Sequence, residues 1–210
     1  MSKIRFSAFL LGLALSVSAV SAAEAVRYQG IPNKSSITID GTSTVHDWTV
    51  KGTLIGGYMD VEGAFPSDLS VTEVPALPDL PKVMVRIPVN SLKSGKSTMD
   101  SVMHKAMNKS KHPMIAYAVT KMVPSTKSRK AGDPLRYETE GELKVSGKTK
   151  QVKMPVFITG RADGGLDISG KTKVKMTDFG IKPPAPKIAL GLIKTGDEVD
   201  LTFKWATRKK

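Results

Sequence analysis

In VDLTFKW, the segment from Val199 to Trp205, apolar and polar side chains alternate without interruption: Val199, Leu201, Phe203 and Trp205 against Asp200, Thr202 and Lys204. Successive side chains of a strand point to opposite faces, so this period of two sets one face on a core and the other in water. The same period recurs along most of the chain after residue 35. In YETEGELKV, Tyr137, Leu143 and Val145 share a face with Thr139 and Gly141, while Glu138, Glu140, Glu142 and Lys144 take the other. In LDISGKTKVKM, Leu166, Ile168 and Val174 oppose Asp167, Lys171, Lys173 and Lys175. Further runs pass through Ile37 and Ile39, through Val83, Val85, Ile87 and Val89, through Ile115, Tyr117 and Val119, and through Val152, Met154, Val156 and Ile158. Many short alternating strands with turns between them predict an antiparallel all-β barrel or sandwich.

Turn chemistry supports that reading. Ser146-Gly147-Lys148 and Asp163-Gly164-Gly165 read as hairpin turns, and Pro124 to Pro134 as a longer solvated loop. Lys182 to Pro186 is too rich in proline for a central strand. One segment breaks the pattern. From Ser97 to Ser110, Met99, Val102, Met103, Ala106 and Met107 fall at helical spacing, predicting one short helix near residues 98–110. Ser97 and Asp100 have the spacing of a capping box, and Pro113 is expected to end the helix by forcing His112 into an extended conformation.

The first 23 residues read as a cleaved signal peptide: Lys3 and Arg5, an apolar run from Phe6 to Val20, then Ser21, Ala22 and Ala23. The expected product is a single domain over residues 24–210, periplasmic or secreted. No cysteine is present among the 210 residues, so the fold uses no disulfide, and thiolate metal sites and cysteine nucleophiles are excluded. The formal charge of +13 stays strongly positive without the two leader cations, which favours anionic partners without specifying one. Nucleic acid is not expected among them. Aromatic residues make up only 6% of the chain, and Tyr137, Phe203 and Trp205 lie on core faces rather than on a stacking platform.

The stretch STVHDW, Ser43 to Trp48, collects a hydroxyl, an imidazole and a carboxylate. Read as a strand, it puts Thr44, His46, Trp48 and Val50 on one face and Val45, Asp47 and Thr49 on the other. Asp47 then cannot orient the His46 ring as a triad requires. His46, His104 and His112 match no short metal motif, and there is no phosphate-cradling glycine loop. No catalytic residue, metal or cofactor is therefore assigned.

Several segments together resemble the YceI-like family of exported, lipocalin-like proteins associated with polyisoprenoid or other long-chain lipid binding. They are IDGTSTVHDW at 39 to 48, SLKSG at 91 to 95, Asp100 with its helix, KHPMI at 111 to 115, GELKVSGKTKQV at 141 to 152, TDFGI at 177 to 181 and GDEVDL at 196 to 201. The commoner family opening carries His-Ser three residues after the aspartate, whereas here Asp40 is followed by Gly41, Thr42 and Ser43, which marks an HDW-type variant. The resemblance implies an extended antiparallel lipocalin-like barrel of about eight strands, near the smallest that can hold a ligand inside. It also implies a non-enzymatic carrier of an amphipathic long-chain lipid such as a polyisoprenoid. On that reading Trp48, Val85, Ile87, Tyr117, Val119, Leu143, Val156 and Phe203 line the cavity, Met103 and Met107 close it, and His46 is the candidate headgroup contact. Peripheral contact with an anionic membrane and a homodimer are compatible with the basic surface and exposed strand edges. Two alternatives remain open at this point: a histidine-dependent hydrolase or metal enzyme on the same barrel, and a basic surface protein for anionic envelope polymers.

Overall fold

The computed structural model describes residues 25–61, 71–77, 79–125, 128–185 and 193–210. The expected leader, residues 1–23, lies outside them, as do Thr126 and Lys127 of the long loop and Pro186 of the proline-rich one. Ten strands follow in chain order: β1 (Val26–Gly30), β2 (Ser36–Ser43), β3 (Trp48–Gly52), β4 (Gly56–Val61), β5 (Lys82–Pro88), β6 (Met114–Pro124), β7 (Leu135–Val145), β8 (Lys148–Gly160), β9 (Leu166–Lys175) and β10 (Thr195–Lys209). The helix α1 spans Ser97–Ala106.

All neighbouring strands pair antiparallel, in the order β1-β4-β5-β6-β7-β8-β9-β10-β2-β3. Closure comes from the length of β10. Its first part pairs with β2, through Leu201↔Ile39 and Phe203↔Ile37, and its end pairs with β1, through Tyr28↔Lys209 and Gly30↔Thr207. Thus β1 and β2 lie end to end along β10, and β3 and β4 form the next, equally broken stave. The result is a closed eight-strand antiparallel barrel with one helix.

The period of two becomes burial. Along β7 every second residue from Leu135 to Val145 is buried while the intervening residues point outward. The β7–β8 connection is the tight hairpin expected, with Ser146 at φ 48° and Gly147 at φ 78°. Two positive φ values in a two-residue loop match the twist of the flanking strands. On the outer face, Lys171 and Lys173 of β9 pair with Asp200 and Glu198 of β10, both at 3.7 Å. Pro155 has no N–H to offer β9, and the β8–β9 ladder runs only from Gly160↔Leu166 to Val156↔Gly170. Beyond it the two strands stay in register with their other neighbours and are bridged by the Thr172 hydroxyl, which donates to the Lys153 carbonyl at 3.1 Å.

Four local expectations are corrected. STVHDW is not a strand, because β2 ends at Ser43 and β3 starts at Trp48. Ser97 does not cap α1: Lys96 is the N-cap and no side chain caps it. Pro113 does not end the helix either. The helix stops at Ala106, and Asn108 turns the chain with φ 51° while its carbonyl accepts from the Lys111 and His112 amides. Val89, read as strand, is a buried residue of a short 3₁₀ turn, Val89–Ser91, where proline at 88 closes β5.

Candidate functional site

The inward faces of the barrel do not meet. They enclose a cavity of about 540 Å³. One end is filled. Leu135, Tyr137, Met59 and Ile158 are almost wholly buried there, and the Tyr137 hydroxyl donates to the Pro75 carbonyl of the segment covering that end at 3.2 Å. Burial pushes the Tyr137 hydroxyl up to about 12, so it remains a neutral donor.

The other end is the mouth. Of the described lining residues, Val45, His46, Lys96 and Thr98 are exposed, and they come from two places, the β2–β3 loop and the start of α1. Backbone pairing holds these two places side by side. Lys51 of β3 exchanges two 2.8 Å hydrogen bonds with Lys93, just before the helix. Two polar groups then lock α1 onto the segment that precedes it. The Asp100 carboxylate accepts from the amide and hydroxyl of Ser94, each at 2.7 Å, and one turn later the buried His104 Nε2 donates to the Leu92 carbonyl at 3.1 Å. The Ser94 amide, with the Ser94 hydroxyl and the nearby Lys93, holds the Asp100 carboxyl below the usual carboxylate range.

The β2–β3 loop is organised by Ser43. Its hydroxyl donates to the His46 carbonyl at 2.6 Å and accepts from the amides of Val45 and His46. Serine and threonine hydroxyls compete with strand ladders in this way. His46 Nδ1 donates to the Asp47 carbonyl at 2.8 Å, which leaves Nε2 facing outward from that bond. Trp48 lies across Gly41, where an added Cβ would come within 2.2 Å of the indole, and its Nε1 donates to the Thr42 carbonyl at 3.0 Å.

Trp48, Val85, Ile87, Tyr117, Val119, Leu143, Val156 and Phe203 all line this cavity, as do Met103, Met107 and His46. The structure therefore brings every residue named from the sequence for the cavity and its mouth to one space. Other wall residues were missed. Met99, Val102 and Ala106 complete the helical side, and their apolar spacing was a usable signal. Val45 also lines the mouth, although strict alternation had put it on the opposite face from His46. Lys96 and Thr98 carried no signal at all, because a reading of apolar periodicity passes over polar positions.

The wall is apolar almost throughout. Among the described lining residues there is no carboxylate, and Lys96 and His46 are the cations or potential cations. Deeper in, the Tyr117 ring occupies the space a side chain at Gly141 would need, with its hydroxyl 2.4 Å from where a Cβ would stand. Burial raises the Tyr117 hydroxyl above its ordinary range, so it stays protonated. His104 is committed to Leu92, and His112 packs against Gly147 on the far side of the helix end, so the three histidines do not converge. Among the described residues no group of three or more His, Asp or Glu side chains is placed to hold a metal ion.

A closed antiparallel barrel around an open-ended apolar cavity defines a lipocalin-like class of protein. Within it, the chain belongs to the YceI-like family, whose model matches residues 28–206. A UPF0312 protein of Pectobacterium atrosepticum is 31% identical over 137 residues, covering 61% of this chain and 63% of that protein. The match thus spans less than two thirds of that relative's length. Among solved structures, Burkholderia cenocepacia BcnA superposes with a TM-score of 0.62 at 15% identity, over 82% of this chain and 96% of that one. A polyisoprenoid binding domain from Saccharophagus degradans, implicated in plant cell wall breakdown, gives a TM-score of 0.59 at 11% identity, over 87% and 98%. These structural likenesses establish the fold.

Proposed function

We propose that this protein is a non-catalytic carrier of an amphipathic long-chain lipid, exported to the periplasm or secreted, with the chain in the barrel and the polar end at the mouth. The observation that carries this reading is the 540 Å³ apolar cavity, blind at one end and open at the other. Burying roughly ten methylenes in it contributes ~8 kcal/mol gross, from which the ordering costs of binding are subtracted. That suffices for useful affinity without any reactive group. A structural neighbour supports the same reading, since the Saccharophagus domain with the same fold is named for polyisoprenoid binding. Native mass spectrometry of the protein purified from its own cells tests it. A copurifying lipid of defined mass is expected. Stoichiometric metal, or a hydrolytic activity that vanishes in His46→Ala while lipid retention stays intact, would overturn it.

A further inference from the structure

The net charge does not say where the cations stand, but the fold does. Four connections surround the mouth of the barrel: β2–β3, the β5–β6 segment that carries α1, the β7–β8 turn and β9–β10. Contacts join them into a ring. The Thr44 amide donates to the Lys194 carbonyl at 3.0 Å and the Lys194 amide donates to the Thr44 hydroxyl at 3.1 Å, which ties β2–β3 to β9–β10. The stem of Lys148, at the start of β8, lies beside Gly180, its Cγ 3.8 Å from where a Cβ would stand, and the His112 ring covers Gly147. The paired backbones of Lys51 and Lys93 complete the ring between β3 and the approach to α1.

Six exposed lysines stand on this ring: Lys96, Lys105, Lys111, Lys148, Lys182 and Lys194. None of the six has an ion-pair partner among the described residues. Carboxylates do not offset them. Asp100 is buried against Ser94 and Asp197 is held by Thr177, which leaves Asp47 and Asp178 as the exposed acids of the described ring. The opposite end is close to balanced. Among the described residues of its connections, Arg129, Lys130 and Arg161 stand against Glu73, Asp79, Asp133 and Asp163, and Arg161 is tied to Asp163 and Asp167. The chain end from Arg208 to Lys210 adds a smaller positive cluster there.

Apolar surface accompanies the charge at the mouth. Val45, next to Thr44 on the ring, is 63% exposed, the most exposed large apolar side chain among the described residues, and Met114 at the start of β6 is 39% exposed at the same end. A solvated polyanion would meet the lysines and leave Val45 in water. An anionic bilayer satisfies both, with ammonium groups at headgroup level and an apolar tip at the acyl boundary. It also sets an apolar medium against the apolar opening of the cavity.

We propose that the mouth end of the barrel docks on an anionic lipid bilayer, with the lysine ring on the headgroups and Val45 inserted below them. This goes beyond the carrier reading, because it concerns the outer surface and its partner rather than the ligand inside. Each lysine brought to such a surface contributes about fivefold in affinity, and the gain falls as salt screens it.

The test is cosedimentation of the protein with vesicles of phosphatidylcholine, alone or with roughly one third phosphatidylglycerol. Binding to the anionic vesicles is expected, falling steeply with salt, with little binding to phosphatidylcholine alone. Lys105→Gln/Lys111→Gln should lose about twentyfold. Arg208→Gln/Lys209→Gln removes the same charge from the opposite end, beyond a screening length of ~10 Å, and should change affinity by roughly twofold or less. Val45→Ser should weaken vesicle binding severalfold and leave binding to heparin, a soluble polyanion, unchanged. Equal losses in the two double variants would overturn the docking face, because net charge alone would then account for the attraction. No preference for anionic vesicles, or heparin bound more tightly than vesicles with Val45→Ser without effect on either, would overturn the bilayer as partner. A protein that keeps a copurifying lipid yet ignores anionic vesicles overturns the docking alone. One that binds vesicles through the lysine ring yet carries no lipid supports the docking and overturns the carrier reading alone.

Discussion

Replacing Asp100 with asparagine isolates the charge that clamps α1 over the cavity. The carboxylate is 12% exposed and receives two 2.7 Å bonds from Ser94. Hydrogen bonds to a charged group contribute ~1.5–3 kcal/mol, about twice a neutral one. Asparagine keeps the shape and one acceptor oxygen, so Asp100→Asn should cost about 1–2 kcal/mol near neutrality. Alanine leaves the Ser94 amide without a partner and should cost roughly 2–4 kcal/mol. Lys93 adds little, because it stands 3.8 Å away and is 60% exposed. The folded protein holds this carboxyl below its usual range, so its contribution is complete above the unfolded value of ~3.9 and is lost as pH falls through the lower folded value. Urea unfolding of the wild type and Asp100→Asn should therefore differ fully at pH ~6 and converge toward pH ~2–3. A gap of equal size at both ends would refute the account, since it would show that the charge contributes nothing and only shape or packing matters. Because Met99, Val102, Met103, Ala106 and Met107 form the helical wall, the same variant should release bound lipid faster at neutral pH.

Other outcomes follow from the same geometry. Trp48→Ala should weaken lipid retention by about tenfold, and more than His46→Ala, because it removes a large cavity wall while the imidazole touches only the mouth; competitive displacement of a fluorescent fatty acid measures both. Val85→Trp should fill the middle of the cavity and abolish uptake while far-ultraviolet circular dichroism stays native, and retained binding would count against the barrel interior as the site. Gly147→Ala should destabilise by about 1–2 kcal/mol in thermal melts, from its positive φ and from a Cβ that would stand 2.5 Å from the His112 ring.

The strands were legible wherever a local period suffices. Leu135 to Val145 alternates in the sequence and alternates in burial, because a strand's side-chain direction is set residue by residue. The turn at Ser146 and Gly147 was legible for the same reason. The local misreadings share a cause. In STVHDW the side chains could continue a strand, but the Ser43 hydroxyl captures the amides of Val45 and His46 and makes a loop. At the helix start, Ser97 and Asp100 have the right spacing, yet Asp100 bonds backward to Ser94. Competing hydrogen-bond partners a few residues apart leave no mark in hydrophobic periodicity.

By itself the sequence determined an antiparallel all-β chain with one helix, its inward and outward faces, and through its ordered motifs its family. Only the tertiary structure decided that the barrel is hollow, where it opens and what stands at the opening. A filled core and an open cavity demand the same apolar alternation. The difference arises from how many staves close the ring and from β10 being long enough to pair with both β1 and β2. Lys96 and His46 both stand at the mouth because the Lys51–Lys93 bridge joins β3 to the approach of α1, a contact between segments some forty residues apart that no local pattern records.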